Sequence, residues 1–120
     1  MTDDGTGGST AEPGALAREY YRAIDDGAYD ALASVLHPEF VQERSDRTLA
    51  GREAFVRFMR EDRPETDTVH EVDAVYEGPG GVAVRGRLLR NDGSEWFGFC
   101  DVFDVDGGRL TRLRTFTRSE

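Results

Sequence analysis

A lone carboxylate set in a row of phenylalanines is the position in this sequence best placed to do chemistry. Glu95 to Val105 reads E-W-F-G-F-C-D-V-F-D-V, and a β-strand alternates its side chains between two faces. Phe97, Phe99, Asp101, Phe103 and Val105 then share one face; Trp96, Gly98, Cys100, Val102 and Asp104 share the other. An unpaired buried charge is expensive. Asp101 is therefore either a carboxyl held neutral by its apolar neighbours and able to donate a proton, or an ionised group paired with an arginine or with backbone amides. His37, in L-H-P-E-F, occupies a turn position and is a candidate general base near neutral pH. His70 shares a strand face with Val72, Ala74 and Tyr76 and reads as a partly buried sheet histidine. Two histidines without H-x-H or H-E-x-x-H spacing, and one cysteine, make no metal site. The glycine-rich turns lack the following helix and lysine of a phosphate loop. No cofactor is expected.

Composition narrows the classes further. The chain has 120 residues, one domain's worth, and Cys100 is its one cysteine, so no intrachain disulfide forms. There are 15 basic residues, all arginine, against 24 acidic, a net charge of −9. Such a surface repels phosphate backbones, which argues against a nucleic-acid partner. It also suits a high-salt cytosol, where screening relieves self-repulsion. No apolar run is long enough for a membrane span and no signal peptide is evident, so the expected location is cytoplasmic.

The elements that must position these residues follow from periodicity. Residues 1–11, rich in Gly, Ser, Thr and Asp, read as a disordered acidic tail, and residues 12–120 as a single domain. A helix starts at Glu12-Pro13, carries the stripe Leu16, Tyr20, Ala23, Ile24, and ends at Gly27. A second helix, with Tyr29, Leu32, Ala33, Val35 and Leu36 on one side, stops at His37-Pro38. A short extended run covers Phe40 to Arg44. Gly51 opens a third helix with Phe55, Phe58 and Met59 as its apolar face, fraying near Pro64. Beyond it the period changes to two, and the turn signals G-P-G-G, N-D-G and D-G-G divide the rest into four antiparallel strands, about 66–77, 82–91, 94–106 and 109–118. Helices followed by a strand meander make an α+β layout with the helices on one face of a curved sheet.

This order of elements resembles the nuclear transport factor 2-like superfamily, in its SnoaL-like and ketosteroid-isomerase-like branch. The stretches that carry the resemblance are A-R-E-Y-Y-R-A-I-D-D-G-A-Y-D-A-L-A-S-V-L-H-P-E-F, L-A-G-R-E-A-F-V-R-F and F-G-F-C-D-V-F-D-V-D-G-G-R-L, spread over nearly all the chain after the tail. The resemblance implies a cone: a curved antiparallel sheet of four long strands and one short strand, wrapped around three N-terminal helices, with an apolar pocket at one end. It implies an oxyanion hole made by a first-helix tyrosine and a protonated strand aspartate, an arrangement for which ketosteroid isomerase is a standard worked example. Those roles fall on Tyr20, with Tyr21 as the alternative, and on Asp101. The template's general base falls on Arg44, or on Gln42 after a slip of two, and neither abstracts a proton at neutral pH. Arg44 would instead pair with Asp101 or anchor a ligand carboxylate.

The resulting expectation is a small-molecule pocket protein taking an apolar or anionic ligand. Its pocket is lined by Arg44, Gln42, Phe55, Phe97, Phe99 and Phe103. Cofactor-independent isomerase- or cyclase-type proton transfer would use Tyr20, Asp101 and His37. The alternatives are a non-catalytic binding module and a purely structural dimer. Trp96, Cys100 and Val102, facing away from the pocket, would form an apolar outer sheet face covered by a second copy.

Overall fold

A computed structural model describes residues 12–63 and 65–118; the expected tail and the fraying at Pro64 lie outside the described residues. Helix α1 (Pro13–Asp26) opens on a proline, whose missing N–H costs nothing in a first turn. Its N-terminus is capped from a distance: the Gly14 amide donates to Glu77 Oε2 at 2.6 Å. Leu16, Ala17, Tyr20, Tyr21, Ala23 and Ile24 are buried. Gly27, at φ 68°, ends the helix by turning left-handed and sending its N–H back to the carbonyls of Ala23 and Ile24.

Helix α2 (Tyr29–Val35) is followed at once by strand β1 (Leu36–Glu43). The helix ends before His37-Pro38 because Leu36 is already extended, and the proline sits inside the strand where the ladder is irregular. A short strand β2 (Thr48–Ala50), which periodicity did not suggest, pairs back on β1. Helix α3 (Arg52–Arg57) runs into a π turn over Phe58–Asp62. Strands β3 (Val69–Gly78), β4 (Gly81–Leu89), β5 (Glu95–Asp106) and β6 (Arg109–Arg118) follow as an antiparallel meander. In the two-residue turn between Asp106 and Arg109, Gly107 and Gly108 both take positive φ, 60° and 78°, as a type I′ hairpin loop requires.

The sheet has six strands in the order β2-β1-β6-β5-β4-β3 and is mixed, because β1 lies parallel to β6. This corrects the expected five-stranded antiparallel count while keeping the α+β cone. Fully buried Ile24, Leu32, Phe40, Phe55, Val84, Phe103, Leu110 and Leu113 fill the space between α1, α2, α3 and the inner sheet face. Each large side chain contributes roughly 1.5–3 kcal/mol by leaving water.

Bulges adjust which residues reach that face. The β4–β5 register shifts between Leu88 and Leu89, leaving Trp96 as the extra residue, and a bulge re-aims side chains. Trp96 consequently joins the cavity wall rather than the outer face. A shift at Asp73 likewise reverses the end of β3: Tyr76 is exposed instead of following His70 inward. The outer face is mixed rather than apolar. Cys100 pairs in register with Arg85 and Phe116, and Val102 with Arg114, while Arg87 bonds Glu71 and Arg112 bonds Glu43.

Candidate functional site

The concave side of the sheet encloses a cavity of about 240 Å³ between the C-terminal half of α1, the π turn and the strands. Ile24, Met59, Leu88, Phe97 and Phe99 give it apolar walls. Gln42, His70, Asp101 and Thr115 are its polar groups, and Arg44, Asp46, Arg47, Arg63 and Glu65 supply charge. Phe55 and Phe103, expected as lining, are instead fully buried in the core, where they pack against Tyr20 at 6.0 and 5.1 Å between ring centroids. The reason is depth: both lie behind the Tyr20 ring. The Trp96 indole carries the Arg90 guanidinium over its ring, 4.4 Å from the centroid.

Asp101 is buried on this wall as its strand face demands, 5% exposed. Its partner is Tyr21 rather than Tyr20: the Tyr21 hydroxyl donates to Asp101 Oδ2 at 2.6 Å. Tyr20 lines the cavity, and among the described residues its hydroxyl makes no bond to Asp101. The two tyrosines point a helical step apart: Tyr20 packs edge-on against Phe103, while Tyr21 meets Phe99 and Asp101. Asp101 Oδ1 is buried and has no hydrogen-bond partner among the described residues. Burial pushes the carboxyl above the usual aspartate range, opposed by the Tyr21 hydroxyl, by Thr115 and by the charges of His70 and Arg44. Thr115 faces Asp101 directly in register, but its geometry completes no hydrogen bond to Oδ1. Burial and the Asp101 charge together raise the Tyr21 phenol far above its ordinary range, so it stays a protonated donor.

Arg44 does not fork onto Asp101. Its Nε lies 3.3 Å from Asp46 Oδ1, at the edge of the cavity. Gln42 is 3% exposed and donates from Nε2 to Thr115 Oγ1 at 2.9 Å, while its Oε1 is a second buried acceptor without a partner among the described residues. His37 is remote from these groups: its Nδ1 accepts from the Glu39 amide at 3.0 Å in the bend of β1, and it is not part of the cavity wall. The expected turn histidine thus lies within β1, near its start.

His70 is the residue whose placement the linear pattern undervalued. It reaches the cavity wall, and its ring is held by Asp25 of α1, with Nδ1 2.7 Å from Asp25 Oδ1. Asp25 Oδ2 also accepts the His70 backbone N–H at 2.9 Å. Asp25 stands four residues after Tyr21, hence on the same helix face. That spacing was the available signal, hidden because an aspartate beside Asp26 at a helix end looks like solvated surface. No group of three or more His, Cys, Asp or Glu side chains suited to a metal occurs among the described residues. No helix among them is long and apolar enough to cross a membrane.

Known proteins agree with this geometry at the level of fold. A candidate ketosteroid isomerase from Kribbella flavida superposes with a TM-score of 0.79 at 23% identity, covering 88% of this chain and 77% of that one. An LEH-like epoxide hydrolase from M. tuberculosis gives 0.76 at 18% identity, covering 92% and 85%. A candidate polyketide cyclase from Sinorhizobium meliloti gives 0.73 at 23%, covering 85% and 94%. Identities this low establish shared architecture and nothing about substrate. No curated protein matches the sequence. The profile of the SnoaL-like domain matches residues 17–113, most of the chain. The chain belongs to the SnoaL-like domain family.

Proposed function

We propose that the protein binds a small carbonyl compound in this cavity and catalyses cofactor-independent proton transfer of the isomerase or cyclase type. One observation carries this reading: Asp101 is buried on the cavity wall and held through Oδ2 by Tyr21, and among the described residues it forms no arginine ion pair and its Oδ1 has no hydrogen-bond partner. A carboxyl kept neutral in that setting presents an O–H to a ligand oxygen and stabilises the charge that develops there on enolisation. Tyr21 orients the carboxyl rather than meeting the ligand. Tyr20 contributes to the wall. A volume below the usual range for drug-sized ligands, about 300–1,000 Å³, favours a one- or two-ring compound. Related folds described as a ketosteroid isomerase and a polyketide cyclase are consistent with such chemistry.

Arg44, with Arg47 and Arg63 on the same wall, favours a second reading, a binding module that anchors a ligand carboxylate without turnover. Thermal-shift titration separates the two. Under the first, 4-nitrophenol and small cyclic ketones stabilise the wild type, and Asp101→Asn abolishes the shift. Under the second, aromatic carboxylates stabilise both proteins alike, and Arg44→Gln abolishes the effect. Stabilisation by none of these compounds overturns both.

A further inference from the structure

The proton acceptor that Arg44 and Gln42 cannot supply stands on the opposite side of the cavity. Asp25 is acceptor-only when ionised, so the 2.7 Å contact to His70 Nδ1 places the imidazole proton on Nδ1. Nε2 is then left with its lone pair, and among the described residues nothing bonds it. The ring is fixed as well as tautomerically set. Tyr21 packs at 4.9 Å and Phe99 at 5.6 Å between ring centroids, and Asp25 ties the backbone at the same point. The His70 amide is free to make that bond because β3 is the edge strand of the sheet. His70 and Asp25 side chains are 15% and 16% exposed, and His70 is the one of the two that lines the cavity. The other ionisable groups on the cavity wall are Tyr20 of α1, Asp101 of β5, Arg44, Asp46 and Arg47 in the loop after β1, and Arg63 and Glu65 before β3, with Tyr21 of α1 packed on the His70 ring.

We propose that His70, oriented by Asp25, is the general base of this site and removes the proton α to the carbonyl of an enolisable ketone. The inference rests on the carbonyl reading above. In the step, the C–H bond breaks, its proton forms a bond to Nε2, and its electrons become the enolate C=C, with negative charge on the oxygen facing Asp101. The imidazolium then returns the same proton to the far carbon of the conjugated system. No oxidant, reductant or co-reactant is consumed. Asp25 is a positioning residue that holds the ring and its tautomer; His70 touches the substrate.

The test uses cyclohex-3-enone, whose conversion to the conjugated enone is read by ultraviolet absorbance and whose α-proton exchange in deuterium oxide is read by NMR. His70→Gln keeps a donor for Asp25 but has no base. It is expected to lower both rates by about 100-fold or more, the usual scale of general-base catalysis, while 4-nitrophenol still binds within about threefold. Independently of turnover, long-range ¹H–¹⁵N NMR of the wild type should show the Nδ1–H tautomer at His70, and Asp25→Ala should populate Nε2–H. An unchanged rate in a folded His70→Gln, or an Nε2–H tautomer in the wild type, overturns the assignment while leaving the Asp101 site standing. A wild type that binds no phenol and exchanges no proton removes the carbonyl reading itself, and this assignment with it.

Discussion

Tyr20 and Tyr21 are adjacent in sequence, yet the structure gives them separate tasks. Tyr21 is 3% exposed and spends its hydroxyl on Asp101, so Tyr21→Phe leaves a second oxygen of a buried carboxyl without a partner. Such a loss costs about 1–3 kcal/mol. Urea denaturation should show Tyr21→Phe destabilised by that order and Tyr20→Phe by clearly less; equal losses would remove the distinction. Asp101 itself has a sign that can be checked. Its folded pKa is raised, so the folded state holds the proton more tightly than the unfolded chain. Stability from that proton is complete below the unfolded aspartate pKa and is lost as pH rises towards the folded value. The stability of the wild type relative to Asp101→Asn should therefore fall as pH increases from about 4. A difference that grows instead would mean an ionised, stabilised carboxylate. Alternation placed Asp101 in the phenylalanine row, and the family resemblance pointed first to Tyr20 with Tyr21 as the alternative; it is Tyr21 that bonds Asp101. A hundred degrees of helix rotation can be resolved only by knowing where β5 crosses α1.

Among the elements, the β4–β5 pair does most to shape the cavity. Gly86 lies opposite Phe99, and a Cβ there would meet the Glu71 carbonyl oxygen at 2.4 Å and Phe99 Cζ at 2.8 Å. The backbone contact cannot yield without moving β3, and Phe99 could yield only by swinging away from the glycine. Gly86→Ala should destabilise by about 1–3 kcal/mol, as overpacked sites do, measured as a lower urea midpoint at unchanged slope. A neutral outcome would show that β3 is free to shift. The three glycine-marked hairpins and the three helices were all legible, since turn chemistry and the change of period from 3.6 to 2 are local properties. The bulges at Asp73 and Trp96 were not, and they decide that Trp96 faces the cavity and Tyr76 the solvent. A bulge depends on the neighbouring strand's register, which no single strand encodes.

At the scale of the molecule, a charge of −9 on 120 residues without lysine is self-repulsive. Arginine–carboxylate pairs such as Arg87–Glu71 and Arg112–Glu43 on the outer sheet face answer only part of it. We expect the melting temperature to rise between about 0.1 M and about 2 M sodium chloride as the repulsion is screened. A salt-indifferent melt would count against adaptation to high salt.

Periodicity and turn chemistry by themselves determined an α+β layout, helices on one face of a curved sheet, with Asp101 in a phenylalanine row, because alternation and amphipathicity depend only on residues a few positions apart. The cone followed from the family resemblance. Tertiary structure alone decided the parallel β1–β6 pairing, the choice of Tyr21 for Asp101 and the meeting of Asp25 with His70 across 45 residues. Each of these is a contact between elements whose relative rotation is set by packing, and packing is a property of the whole core.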